Sequence, residues 1–186
     1  MAFAIELALD AAGAAPVRAL WRRLAEAGLR FMADSGADPH VSLVIWDRLD
    51  VARAAAEVAT VAGETAPVDA TFTHVAAFGA EVVYLAVAPS AALAGLQARV
   101  HARFAALGEE PWQHYAPAAW VPHCTLAMDL GSVTAATALA LAPTLALPLA
   151  ARLERMAIVE FRPVRERFAR ALTGPAPRGA SADAGR

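Results

Sequence analysis

Lysine is absent from this 186-residue chain, and cysteine occurs once, at Cys124. A lone cysteine excludes an internal disulfide and any zinc site built from several thiolates. All 16 basic residues are arginine, and against 18 acidic residues they leave a formal net charge of −2. The missing lysine, together with abundant alanine, reads as a coding bias and not as chemistry. The near-neutral balance does bear on function. A protein that wraps long nucleic acid needs a broadly basic surface, so this chain suits one or two phosphates and not a long duplex. Long apolar runs are missing too: none reaches the ~18 residues of a membrane span. The hydrophobic fraction is nevertheless 58%, and alanine, which buries little, supplies most of the excess. The opening MAFAIELALD has no basic region and carries Glu6 and Asp10 among its apolar residues, so it does not read as a signal peptide. The expectation is a soluble cytoplasmic protein with no cofactor and no inferable protein partner.

What is present alternates between strand and helix patterns. Phe3–Leu9 reads as a strand and Pro16–Met32 as a helix, with Pro16 in its first turn. DSGADP then breaks the pattern. Strand character returns over Pro39–Trp46, followed by a short helix over Val51–Val61 and a strand pair, Ala70–Phe78 and Glu81–Val87, joined at Gly79. Leu93–Leu107 reads as a second amphipathic helix. A loop carrying Trp112, His114, Tyr115 and Trp120 leads to a strand over Pro122–Met128. A small helix, Ser132–Leu141, precedes a final strand region, Ala146–Phe161. The order predicts an α+β fold of two duplicated β-α-β-β-type lobes, with antiparallel sheets around a central cleft and helices outside. Residues 1–172 would form this single domain, and 173–186 a disordered tail.

Two segments carry the chemistry. DPHVSLVIWD, from Asp38, and VPHCTLAMDL, from Val121, share Pro-His, a small hydroxyl residue two places on, and then leucine. Residues two apart on a strand share a face. His40 and Ser42 would therefore point one way while Val41, Leu43 and Ile45 point into a core. His123 and Thr125 would pair likewise, opposite Cys124, Leu126 and Met128. Side by side, such strands bring two imidazoles and two hydroxyls to one cleft. One neutral histidine can take a proton from an attacking water or hydroxyl while the other, protonated, supplies the leaving oxygen. Ser42 and Thr125 hydroxyls can donate to the non-bridging phosphate oxygens. Nothing in this scheme requires a metal, and the alternation does not decide which histidine is the base.

Paired His-x-Ser/Thr motifs resemble the two-histidine phosphoesterase superfamily, and most closely its bacterial 2'-5' RNA ligase or RNA 2',3'-cyclic phosphodiesterase branch. HVSL from His40, HCTLA from His123 with WVPH leading into it, and the AEVVYLAV strand carry the likeness, which extends to about Leu172. It implies a bilobal fold and metal-independent hydrolysis of 2',3'-cyclic or 2'-5' phosphodiesters, with a small nucleotide or an RNA terminus as substrate. Two positions depart from the family pattern: Ser42 stands for the more usual threonine, and Met128 where relatives often carry arginine. Arg155 or Arg162, from the arginine-rich RLERMAIVEFRPVRERFAR, would then be the replacement, although that stretch also reads as a solvated face of mixed ion pairs. The competing reading is a non-catalytic nucleotide- or RNA-end-binding module. A third is a phosphodiesterase for a non-RNA substrate.

The remaining candidates have plainer readings. Cys124 lies on the face opposite His123 and reads as a core thiol. His74 reads as an ordinary strand histidine and His101 as a surface residue. His114 and Tyr115 are possible base contacts and Trp120 a cleft-rim residue, while Phe72, Phe78 and Tyr84 read as core, one of them open to a stacking role.

Overall fold

The computed structural model describes residues 1–176; of the tail expected over 173–186, residues 177–186 lie outside the described residues, while the Thr173 and Gly174 N–H groups donate to the Ala62 and Thr65 carbonyls. The chain runs β1 (Ala2–Leu9), α1 (Ala11–Glu26), α2 (Phe31–Asp34), β2 (His40–Leu49), α3 (Val51–Glu64), β3 (Val68–Phe78) and β4 (Val82–Val87). It continues through α4 (Ala91–Phe104), β5 (Gly108–Pro111), β6 (His123–Ala127), α5 (Ser132–Leu141), β7 (Leu149–Phe161) and β8 (Arg165–Ala171). The fold is α+β and every strand pair is antiparallel. The strands form one connected sheet, ordered β5-β2-β1-β7-β3-β4-β6, with β8 also paired to β7. The long strand β7 makes this continuity: Leu149–Leu153 pair with β3, and Leu153–Phe161 with β1. Among the described residues no helix is long and apolar enough to cross a membrane.

Several boundaries differ from the sequence expectation. The first helix begins at Ala11, not Pro16, because the Asp10 carboxylate caps it by accepting from the Gly13 N–H at 3.2 Å. It ends at Glu26, and Gly28 adopts φ +90° at the turn that follows. Strands β5 and β8 were not expected from their charged sequences, GEEP and RERFARA. Both are held by backbone pairing to β2 and β7 and bury little, so hydrophobic alternation does not mark them.

The two motif strands are reached by comparable routes. After β1 and α1, with the short α2 between, β2 returns antiparallel to β1; after β4 and α4, with β5 between, β6 returns antiparallel to β4. Each motif strand also carries one extra residue. Glu6 pairs with Ser42 but Ile5 with Val44, leaving Leu43 extra; Tyr84 pairs with Thr125 but Val83 with Ala127, leaving Leu126 extra. Such a bulge reverses the alternation beyond it. Ile45 and Met128 accordingly line the cleft and do not share the core face expected for them.

The helices brace these strands crosswise. β5 pairs β2 only over Trp46–Leu49, and β6 ends the sheet, so neither motif has a strand on its outer side. Side chains supply the donors instead. Gln97 of α4 is buried and donates to the Leu43 carbonyl at 3.1 Å, and the Trp120 indole donates to the Ser42 carbonyl at 3.0 Å. From α1 the buried Trp21 indole donates to the Thr125 carbonyl at 3.1 Å. Each helix thus packs on the motif strand of the other half. The core side of β1 carries Ile5, Leu7 and Leu9, packed with Val17, Leu20 and Leu24 of α1. Trp21→Phe keeps the ring burial but orphans the Thr125 carbonyl, which costs about 2 kcal/mol. A thermal melt followed by circular dichroism should show Tm lowered by about 4–8 °C.

Candidate active site

Each motif histidine is fixed by the backbone just before it. Nδ1 of His40 lies 2.7 Å from the Asp38 carbonyl, and Nδ1 of His123 lies 2.7 Å from the Val121 carbonyl. A carbonyl only accepts, so Nδ1 carries the proton in both rings and Nε2 is the free nitrogen of each neutral imidazole. The intervening Pro39 and Pro122 favour the extended backbone that lets a ring reach back two residues. Asp38 is itself clamped, by Arg18 of α1 at 2.5 Å and Arg155 of β7 at 2.7 Å.

Both histidines, Ser42 and Thr125 line one cavity of about 970 Å³. Although β2 and β6 stand far apart in the strand order, they meet in space, and the Cys124 thiol lies against the His40 backbone N–H. The cleft face of β1 is made of Ala2, Ala4 and Glu6, whose small alanines leave room above the sheet. The rim is aromatic. Phe31, Phe78 and Trp112, each a little over a third exposed, border the cavity with Trp120, Tyr115 and Phe161.

The surroundings of the two imidazoles differ. Nε2 of His40 is 3.4 Å from the carboxylate of Glu6, which is buried. Burial pushes the Glu6 carboxyl above its usual range, opposed by the charges of His40 and Arg155. His123 instead packs edge-on against Phe78 and Tyr84, with ring centroids 5.0 and 5.1 Å away. Burial pulls its imidazole below the usual value; the Val121 carbonyl opposes this, and the charge of His40 adds to it. Glu6 and Tyr84 occupy the same ladder position, opposite Ser42 and Thr125 respectively. The motif pair is therefore alike in ring tautomer and unlike in what stands behind each ring.

Of the other expected site residues, Trp120 and Tyr115 line the cavity. The Tyr115 phenol is pushed up to about 12 by burial, against the effect of the Ser42 hydroxyl. Arg162 lines the cavity from the β7–β8 turn, where it adopts φ +69°, donates to Asp129 at 2.9 Å and lies 6.0 Å from the Phe31 ring centre. Arg155 is not among the lining residues; it is held between Asp38 and Glu166. Cys124 is a core thiol, pushed up to about 12 by burial. His74 is exposed and bonded to Thr73, and His101 is part-buried on α4. Phe72 and Tyr84 are buried as expected. Phe78 is not: it sits at the end of β3, stacked on Tyr84 with ring centroids 4.1 Å apart, and forms the rim. Glu6 is the residue that pattern reading passed over. A carboxylate in the middle of the apolar strand AFAIELAL was the available signal. Among the described residues no three His, Cys, Asp or Glu side chains are grouped to hold a metal ion.

Solved structures share this fold. TT0787 of Thermus thermophilus is 19% identical, with 95% of this chain and 100% of that one covered and a TM-score of 0.58. A protein described as a phosphoesterase is 16% identical over 92% of this chain and 97% of its own, at a TM-score of 0.56. Escherichia coli LigT, in a complex with ATP, is 14% identical over 92% and 96%, at 0.52. No curated protein matches this sequence. The model of one family, described as the 2'-5' RNA ligase superfamily, matches residues 8–165. With the match spanning both motif strands and most of the sheet between them, the chain belongs to the 2'-5' RNA ligase superfamily.

Proposed function

We propose that this chain is a phosphoesterase that hydrolyses cyclic, 2',3'-type or 2'-5' phosphodiesters of nucleotides or RNA ends by metal-independent acid–base catalysis. One observation carries the reading: two histidines, each with Nδ1 committed to a carbonyl, share a single cavity with two motif hydroxyls. The comparable routes and matching bulge of the two motif strands support their reading as equivalent parts of two duplicated lobes. Family membership supports the reaction class.

In this scheme Nε2 of His123 takes the proton from the attacking water or hydroxyl, because burial and aromatic neighbours favour its neutral form. His40, with a carboxylate at Nε2 and a carbonyl at Nδ1, has acceptors for both protons of an imidazolium and supplies the leaving oxygen. The roles exchange if the reaction runs as ligation. Ser42 and Thr125 hydroxyls donate to the non-bridging oxygens. Arg162 takes the phosphate-binding part of the arginine that Met128 replaces. Trp120 holds the Ser42 backbone, and the aromatic rim gives a base its stacking surface. The complex of E. coli LigT with ATP is consistent with a nucleotide in this cleft.

The test is turnover of 2',3'-cyclic nucleotides and of a cyclic-phosphate-ended oligonucleotide in the presence of EDTA. His40→Ala and His123→Ala should each lower kcat/KM by about 10²–10⁴-fold. Chelation should change nothing. Binding without turnover would favour the module reading, and loss of activity in EDTA would overturn the mechanism.

The pH profile follows from the same assignment. His123 acts as base only when deprotonated, and its burial lowers the pH at which it loses the proton. The rising limb of kcat/KM should therefore have its midpoint below the ordinary histidine value of about 6.5. Arg162→Ala should raise KM roughly tenfold, the typical loss of a charge-assisted hydrogen bond, with a smaller effect on kcat.

A further inference from the structure

Ser42 is the less constrained of the two motif hydroxyls. Thr125 is branched at Cβ, which restricts its χ1, whereas a serine side chain has three staggered wells open to it. A hydroxyl that is to donate to one phosphate oxygen has to be held in one of them. The loop between β5 and β6 is built around this residue. Its Trp112 N–H donates to the Ile45 carbonyl at 3.0 Å, and its Trp120 indole to the Ser42 carbonyl at 3.0 Å. The buried Gln97 amide ties the same two segments together, donating to the Leu43 carbonyl at 3.1 Å and to the Tyr115 carbonyl at 2.8 Å. Between these staples a short 3-10 turn, Gln113–Tyr115, is closed by the Tyr115 N–H donating to the Trp112 carbonyl at 2.9 Å. The turn packs the Tyr115 ring against Ala2, Ala4 and Ile45, and its phenol meets the Ser42 hydroxyl in the cavity that both residues line.

We propose that Tyr115 is a positioning residue for Ser42: its phenol donates to the serine oxygen, and that bond fixes the rotamer and leaves the serine proton free for a non-bridging phosphate oxygen. This rests on the phosphoesterase reading and deepens it. The chemistry of the two groups sets the direction of the bond. A phenol is the more acidic hydroxyl and the better donor, and burial, with the charge of Glu6 adding to it, keeps its proton in place. A serine oxygen can accept one hydrogen bond and still donate its own proton. The two halves of the cleft therefore reach an ordered hydroxyl by different means. Thr125 carries a methyl on its own Cβ, and Ser42 borrows a phenol from a loop that Gln97 and Trp120 hold against its strand. The serine that departs from the more usual threonine is matched by a tyrosine that stands in for the missing methyl.

The experiment is a double-mutant cycle on turnover of a 2',3'-cyclic nucleotide, joined to a rotamer measurement. Tyr115→Phe removes only the phenol oxygen and keeps the ring on Ala4 and Ile45, so packing and any stacking surface stay. With Ser42 spread over three wells, Tyr115→Phe should lower kcat about threefold with little change in KM. Ser42→Ala, which removes the donor outright, should cost about 10²-fold. In a Ser42→Thr background the same Tyr115→Phe change should cost much less, because the threonine methyl then restricts χ1. A tyrosine that served packing alone would cost the same in both backgrounds. The Ser42 χ1 is read from three-bond NMR couplings of the unliganded protein: one well in the native chain, averaging in Tyr115→Phe. An equal loss in both backgrounds, or a Ser42 rotamer that Tyr115→Phe leaves unchanged, would overturn the inference. If the native protein turns over no cyclic nucleotide, the phosphoesterase reading fails, and the couplings still decide whether Tyr115 orders Ser42.

Discussion

Nδ1 of each motif histidine is held by a backbone carbonyl two residues upstream, at the same 2.7 Å in both copies. The contact settles the tautomer, turns Nε2 outward, and costs no side chain that could be used elsewhere. It also demands a particular backbone: extended at the proline, and steady enough that a carbonyl and a ring stay in register. The braces on the two motif strands serve that demand. With no strand hydrogen-bonded to their outer sides along the motifs, β2 and β6 would present unpaired carbonyls. Gln97, Trp120 and Trp21 occupy those carbonyls. Because α1 braces the second motif and α4 the first, neither histidine is positioned by its own half alone.

From this common frame the two sites diverge at one ladder position. Opposite Ser42 stands a carboxylate, Glu6; opposite Thr125 stands a phenol, Tyr84. A symmetric pair of imidazoles would have equal claims on one proton, which gives no direction to a proton relay. A buried carboxylate beside one ring and aromatic edges beside the other remove the equality, and the proposed acid and base roles follow from that difference.

Much of this was legible in the chain. Pro-His-x-Ser/Thr-Leu occurring twice on strand-like segments identified the four motif side chains, and alternation put Cys124 in the core, where it lies. What alternation could not show was the bulge. One extra residue at Leu43 and another at Leu126 turn Ile45 and Met128 toward the cleft, against a strict period of two. The strands β5 and β8 escaped notice for a related reason: backbone pairing holds them, and exposed charged residues leave no hydrophobic pattern to read. Phe78 has the composition of a core residue but is the last residue of β3, where it lines the cavity and stays a little over a third exposed.

The sequence by itself determined which chemistry the chain can attempt, since residue types two apart on a strand must share a face. It determined too the near-neutral net charge of −2. Only the tertiary structure decided that the two motif strands, distant in the sheet order, close on one cavity. It alone selected Arg162 over Arg155 for the lining and set Glu6 behind His40. Those outcomes depend on the long strand β7, which joins the two halves and positions Arg155 against Asp38 outside the cleft and Arg162 at its own far end, on the cleft wall. Contacts between residues so far apart in the chain leave no local pattern, because the backbone path that creates them is fixed by the packing of the whole sheet.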